Sequence, residues 1–115
     1  MKYTFQKKKR NDIDFLSIYT GNELFDQFFN DFLLTDVSSF HEYLLAMFND
    51  VKNGIKESEF FCGNAFEVEI KRDFSKISTE YHGDNQMSEY EIKTDELFDM
   101  ISAYVNELKK YPSDN

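Results

Sequence analysis

The sequence predicts an α+β fold, an antiparallel sheet of three to five strands with about three helices packed on one face. Three observations predict it. Two stretches between residues 22 and 52 repeat apolar residues at helical spacing, the stretch from 66 to 93 alternates apolar with polar residues, and helical spacing returns after residue 94. At 115 residues, with thirteen Phe, four Gly and one Pro, the chain suits one compact domain rather than the disordered, collagenous or low-complexity classes. That domain is expected to span 1–115, with 1–11 a basic strand or arm and 112–115 a short tail.

Residues 2–8 and 12–19 are rich in Tyr, Thr, Phe and Ile and flank Asn11-Asp12, a turn-forming pair, so a hairpin is expected first. From Asn22 onward Phe25, Phe28, Phe29, Phe32 and Leu33 share one helical face, opposite Glu23, Asp26, Gln27, Asn30 and Asp31. A second helix is expected to start at Ser39, whose hydroxyl with Glu42 three residues on makes a capping-box pattern. Its stripe is Phe40, Leu44, Met47, Phe48 and Val51, and Asn53-Gly54 supplies residues that tolerate the left-handed closing turn, so the helix should end near Lys52.

The period then changes to two. Phe66, Val68 and Ile70 alternate with Glu67, Glu69 and Lys71; Ile77, Thr79 and Tyr81 alternate with Ser78 and Glu80; Tyr90 and Ile92 alternate with Glu89, Glu91 and Lys93. The connectors Arg72 to Ser75 and His82 to Gln86 are short and turn-rich, so a three-stranded meander is expected. Thr94 is the expected cap of a closing helix with the stripe Leu97, Ile101, Tyr104, Val105 and Leu108. Asp95 and Glu96 fall in its first turn, Lys109 and Lys110 in its last, and Pro112 stops it.

Charge is the strongest compositional signal. The net charge is −9, yet Lys2, Lys7, Lys8, Lys9 and Arg10 lie in the first ten residues, so from residue 11 onward eight basic residues face 22 acidic ones, a balance of −14. An acidic body with a short basic arm disfavours direct binding of nucleic acid except through the arm, and makes a basic protein the natural complement. Acidity that serves only solubility is the alternative. Four basic residues without an apolar companion make a weak tether, and a solvated turn neutralising Asp12 and Asp14 is the simpler reading of the arm. No apolar run approaches a membrane span, the first ten residues lack an apolar signal core, and a lone Cys62 suits a reducing compartment, so an unprocessed cytoplasmic protein is expected.

Chemistry-bearing patterns are sparse. A nucleophilic Cys62 would need an activating base, but nothing in the spacing of His41 or His82 brings either to it, and a small buried residue at a strand start is the expected role. No His pair, calcium-loop pattern or glycine-rich phosphate loop occurs, so catalytic, metal and cofactor sites are all expected to be none. The remaining candidate is a surface. With Phe66, Val68 and Ile70 facing the helices, Glu67, Glu69, Glu80, Glu89 and Glu91 project from the other side of the meander, where like charges directly opposite one another would cost stability. A solvated face with Lys71 and Lys93 as local partners is one reading, and an acidic docking patch the other. Glu23, Asp26 and Asp31 form the rival patch, and Tyr19, Tyr43, Tyr81, Tyr90 and Tyr104 are candidate aromatic anchors if exposed.

The runs Ser39-Phe40-His41-Glu42, Glu59 to Phe66, Ile70 to Asp73 and Ile92 to Leu97 together resemble the contact-dependent growth inhibition immunity proteins, over roughly residues 38–110. The resemblance implies a bacterial protein without catalytic activity that binds a cognate toxin domain, often an RNase or other nuclease, in a 1:1 complex. It carries over no individual binding residue. An acidic adaptor or nucleic-acid mimic acting on a basic host protein is the alternative function, and an enzyme using scattered carboxylates a third.

Overall fold

The computed structural model describes residues 2–110. Strands β1 (Thr4–Arg10) and β2 (Ile13–Tyr19) form a two-stranded antiparallel sheet of their own. Asn11 and Asp12 turn it with φ of 52° and 65°, the left-handed pair that matches the twist of a two-residue hairpin. The hairpin was expected; its separation from the main sheet was not specified by the pattern.

Helix α1 (Glu23–Phe32) starts at Asn22, whose side chain accepts from the Phe25 N–H at 3.1 Å. Thr20 braces the same turn, donating both its N–H and its hydroxyl to the Asp26 carboxylate. The chain then departs from the expected break between two helices. Residues Leu33–Val37 form a π-helical turn that runs directly into α2 (Ser38–Lys52), so the fold has two helices, one of them long, rather than three. The expected capping box is absent because Ser39 lies inside a continuous helix. Its neighbour Ser38 donates back to the Leu34 carbonyl at 2.6 Å. The rod bends at Phe40, whose φ and ψ of −125° and 18° are non-helical. It ends where expected, with Asn53 as C-cap and Gly54 at φ 75°.

The main sheet has four strands, β3 (Ser58–Cys62), β4 (Phe66–Lys71), β5 (Phe74–Thr79) and β6 (Glu89–Lys93), in sequential antiparallel order. Strand β3 precedes the expected meander. Strand β5 starts earlier than its alternation suggested, because the β4–β5 turn uses only Arg72 and Asp73, and Tyr81 falls outside the strand. Helix α3 (Thr94–Leu108) closes the described chain. Thr94 is not its cap. The Thr94 side chain is buried, donates to the Lys71 carbonyl at 2.5 Å and lies 2.8 Å from the Ser75 hydroxyl, tying the helix start to the β4–β5 turn. The helix ends at Leu108 with no basic residue in its last turn, and Pro112 lies outside the described residues.

Helices α2 and α3 cover one face of the main sheet, and α1 lies against the hairpin. A single apolar cluster joins them. Phe29, Phe32, Leu44, Phe48, Val68, Ile70, Ile77, Leu97 and Ile101 are all fully buried, which accounts for the helical and strand stripes of the sequence. Phe25, Phe29, Phe32, Phe66 and Tyr90 meet mostly edge to face, an arrangement worth about 0.5–1.5 kcal/mol per pair beyond area burial.

Candidate functional site: the open sheet face

With Val68, Ile70, Ile77 and Ile92 turned inward, the alternate residues of all four strands point to solvent on a face that none of the described elements covers. Register places them in cross-strand rows. One row reads Cys62, Glu67, Ser78, Glu89; the next reads Phe60, Glu69, Lys76, Glu91; the third brings Ser58, Lys71, Phe74 and Lys93 together. The structure therefore brings Glu67, Glu69, Glu89 and Glu91 onto one face, as alternation predicts. Its register also corrects the expected repulsion. Ser78 separates Glu67 from Glu89 and Lys76 separates Glu69 from Glu91, so no two glutamates are direct cross-strand partners.

Lys76 was missed because the alternating run was read from Ile77 onward. Its ammonium lies 3.5 Å from Glu89, and Lys71 lies 3.3 Å from Glu69, both solvent-exposed pairs of small energetic value. The face is consequently graded along the strands, acidic at the Glu67–Glu89 end and basic at the Lys71–Lys93 end. Two aromatic side chains that sequence reasoning did not select also stand on it, Phe60 and Phe74, 54% and 48% exposed. Phe74 precedes the apolar phase of β5, which was the available signal, whereas Phe60 stands next to Phe61 in β3 and gave none.

The acidic end is concave. Cys62, Asn64, Glu67, Ser78, Glu80 and Tyr81 line a cleft of about 240 Å³, which brings Glu80 to Glu67 although Glu80 lies beyond β5. Tyr81 is 76% exposed. Cys62 is exposed, contrary to the expected burial, because it lies in the outward phase of β3. Its thiol donates to Glu67 Oε1 at 3.7 Å. His82 sits in the β5–β6 loop with Nδ1 3.3 Å from the Gly83 carbonyl oxygen, and His41 is half-buried on α2.

The cleft owes its shape to a residue outside it. The π-helical turn aims the fully buried Asp36 at the β3–β4 turn, where its carboxylate accepts from the N–H groups of Asn64, Ala65 and Phe66 at 2.7, 3.3 and 2.8 Å. The rival patch is dispersed. Asp26 is occupied by Thr20, Glu23 is exposed, and Asp31 sits in a crevice with Leu24, Phe28, Tyr81 and Met87, where burial pushes its carboxyl above the usual range. Of the Tyr residues proposed as anchors, Tyr19, Tyr43 and Tyr81 are exposed, Tyr90 is half-buried and Tyr104 belongs to the core.

Among the described residues no group of three or more His, Cys, Asp or Glu side chains is arranged to hold a metal ion, and no helix is long and apolar enough to cross a membrane. In comparisons with protein-family models, curated proteins and solved structures, nothing matches this chain.

Proposed function

We propose that the chain is an immunity protein that binds a cognate toxin domain in the cytoplasm and neutralises it by occluding its substrate-binding or active site. The carrying observation is an uncovered sheet face that ends in a concave acidic cleft beside exposed Tyr81. A nuclease presents basic side chains where it grips phosphates, and such side chains fit carboxylates flanking an aromatic surface. Within the proposed patch Glu67 and Glu80 make the ionic contacts, while Glu89 pairs with Lys76, Glu69 pairs with Lys71 and Glu91 faces Lys76 across the ladder. Phe60 supplies exposed apolar area beside them. The protein does no chemistry in this reading and takes no cofactor.

The test is co-expression with the product of the gene immediately upstream. A neighbour that kills cells alone and is silenced in a co-purifying 1:1 complex supports the proposal. A harmless, unbound neighbour removes it. The second reading, an acidic adaptor or nucleic-acid mimic for a basic host protein, rests on the net charge of −9 alone and takes first place in that event.

A further inference from the structure

The N-terminal hairpin packs on the body at its base. Phe5 packs on Tyr104 and the Ile18 backbone bonds the Asn30 side chain, whereas residues 6–14 are all exposed and form a projecting arm. Its two faces differ. Register puts Lys7, Lys9 and Asp14 on one side, with Lys7 paired to Asp14 at 3.4 Å. The other side carries Lys8 and Arg10 directly opposite Phe15 and Ile13, and no carboxylate. Ile13 is 68% exposed, so the basic arm does have the apolar companion that its sequence seemed to lack.

We infer that this cationic and apolar face docks on the acidic cleft of a second copy of the chain, with Lys8 and Arg10 between Glu67 and Glu80 and against Tyr81. Complementarity selects that occupant. A phosphate backbone or an anionic lipid surface is acidic throughout and would be repelled by a body that carries −14 from residue 11 onward, whereas a second copy, −9 overall, brings a basic arm of its own. The cleft of another copy is acidic, concave and bordered by exposed aromatic area. The contact is small, so association is weak, salt-sensitive and readily displaced by a partner with a larger footprint. The inference concerns this chain alone and stands whether or not a toxin is its partner.

Sedimentation velocity on the full chain tests it. At low salt and several hundred micromolar protein, a species heavier than 13.7 kDa is expected, and raising the salt tenfold should weaken the association by about tenfold or more. The variants Lys8→Glu/Arg10→Glu and Glu67→Lys/Glu80→Lys should each be monomeric alone. Mixed, they should associate again, because each then offers the charge that the other has lost, and this rescue excludes misfolding as the cause. A wild-type chain that stays monomeric at all concentrations overturns the inference, as does association indifferent to both reversals. Arm-dependent binding of RNA or of phosphatidylserine vesicles by a monomer would likewise overturn it.

Discussion

A β-carbon built on Gly63 would lie 2.5 Å from the carboxylate of Asp36. The two residues are 27 positions apart, yet the glycine exists for the aspartate: only a bare Cα lets the carboxylate reach the three backbone N–H groups that follow. A buried acceptor anchored this way is worth much more when removed than when formed, since its loss strands donors in a dry site. Asp36→Ala is therefore expected to cost about 2–4 kcal/mol and Gly63→Ala about 1–3 kcal/mol. Urea denaturation measures both, and two neutral substitutions would refute the relationship.

Thr94 distinguishes a cap from a buried tie. A helix cap accepts Asp readily, but Thr94 donates its hydroxyl to the Lys71 carbonyl from a fully buried position. Thr94→Asp should destabilise by more than about 2 kcal/mol, through a charge buried against the Lys71 carbonyl with a single hydroxyl, that of Ser75, to meet it. Thr94→Val should cost about 1–2 kcal/mol. If Asp proves the milder change, capping is the correct account.

Tyr104 gives the alkaline limb of stability a specific source. Burial pushes its phenol from 10.0 up to about 12. The folded chain thus holds this proton at pH values where the unfolded chain has released it. The contribution is complete below pH 10 and is lost as pH rises towards 12, amounting to about 2–3 kcal/mol. Tyr104→Phe should flatten the fall of urea stability between pH 9.5 and 11.5, and a slope equal to that of the wild type would refute the assignment.

The docking patch makes a kinetic prediction. Against a basic partner, Glu67→Lys/Glu80→Lys should slow association by about tenfold and reduce its dependence on salt, with a smaller change in dissociation. Glu23→Lys should leave both rates within twofold. The reverse ranking in stopped-flow measurements would move the interface to α1.

Local pattern was informative where one residue's environment is set by its nearest neighbours in sequence. The stripes of α1, α2 and α3, the phase of β4 and the Asn11-Asp12 turn all follow from spacing. What spacing does not encode is who stands across the ladder. Whether Glu69 meets a glutamate or Lys76 depends on a turn of two residues at Arg72-Asp73, shorter than its composition suggested. Strand β3 carries Phe60 and Phe61 in succession, so it has no alternation to read. Spacing gives no sign of Asp36, because its burial depends on a turn near residue 63. Glu67, Glu69, Glu89 and Glu91 hold the outward phase that alternation gives them, whereas Glu80 lies beyond β5 and the concavity it shares with Glu67 arises from loops.

The π-helical turn from Leu33 to Val37 holds one residue more than an α-helix would need over the same rise. Deleting Thr35 would restore an unbroken α-helical ladder and raise the local helix content. An α-helical ladder that kept the residue would instead rotate everything after it by about 100° relative to α1, turning Asp36 away from the β3–β4 turn and Leu44 and Phe48 out of the interior. The extra residue thus works as a phase shifter between two amphipathic segments whose apolar faces would otherwise look in different directions. Tightening the turn without removing a residue would exchange a tertiary fold for a more regular rod.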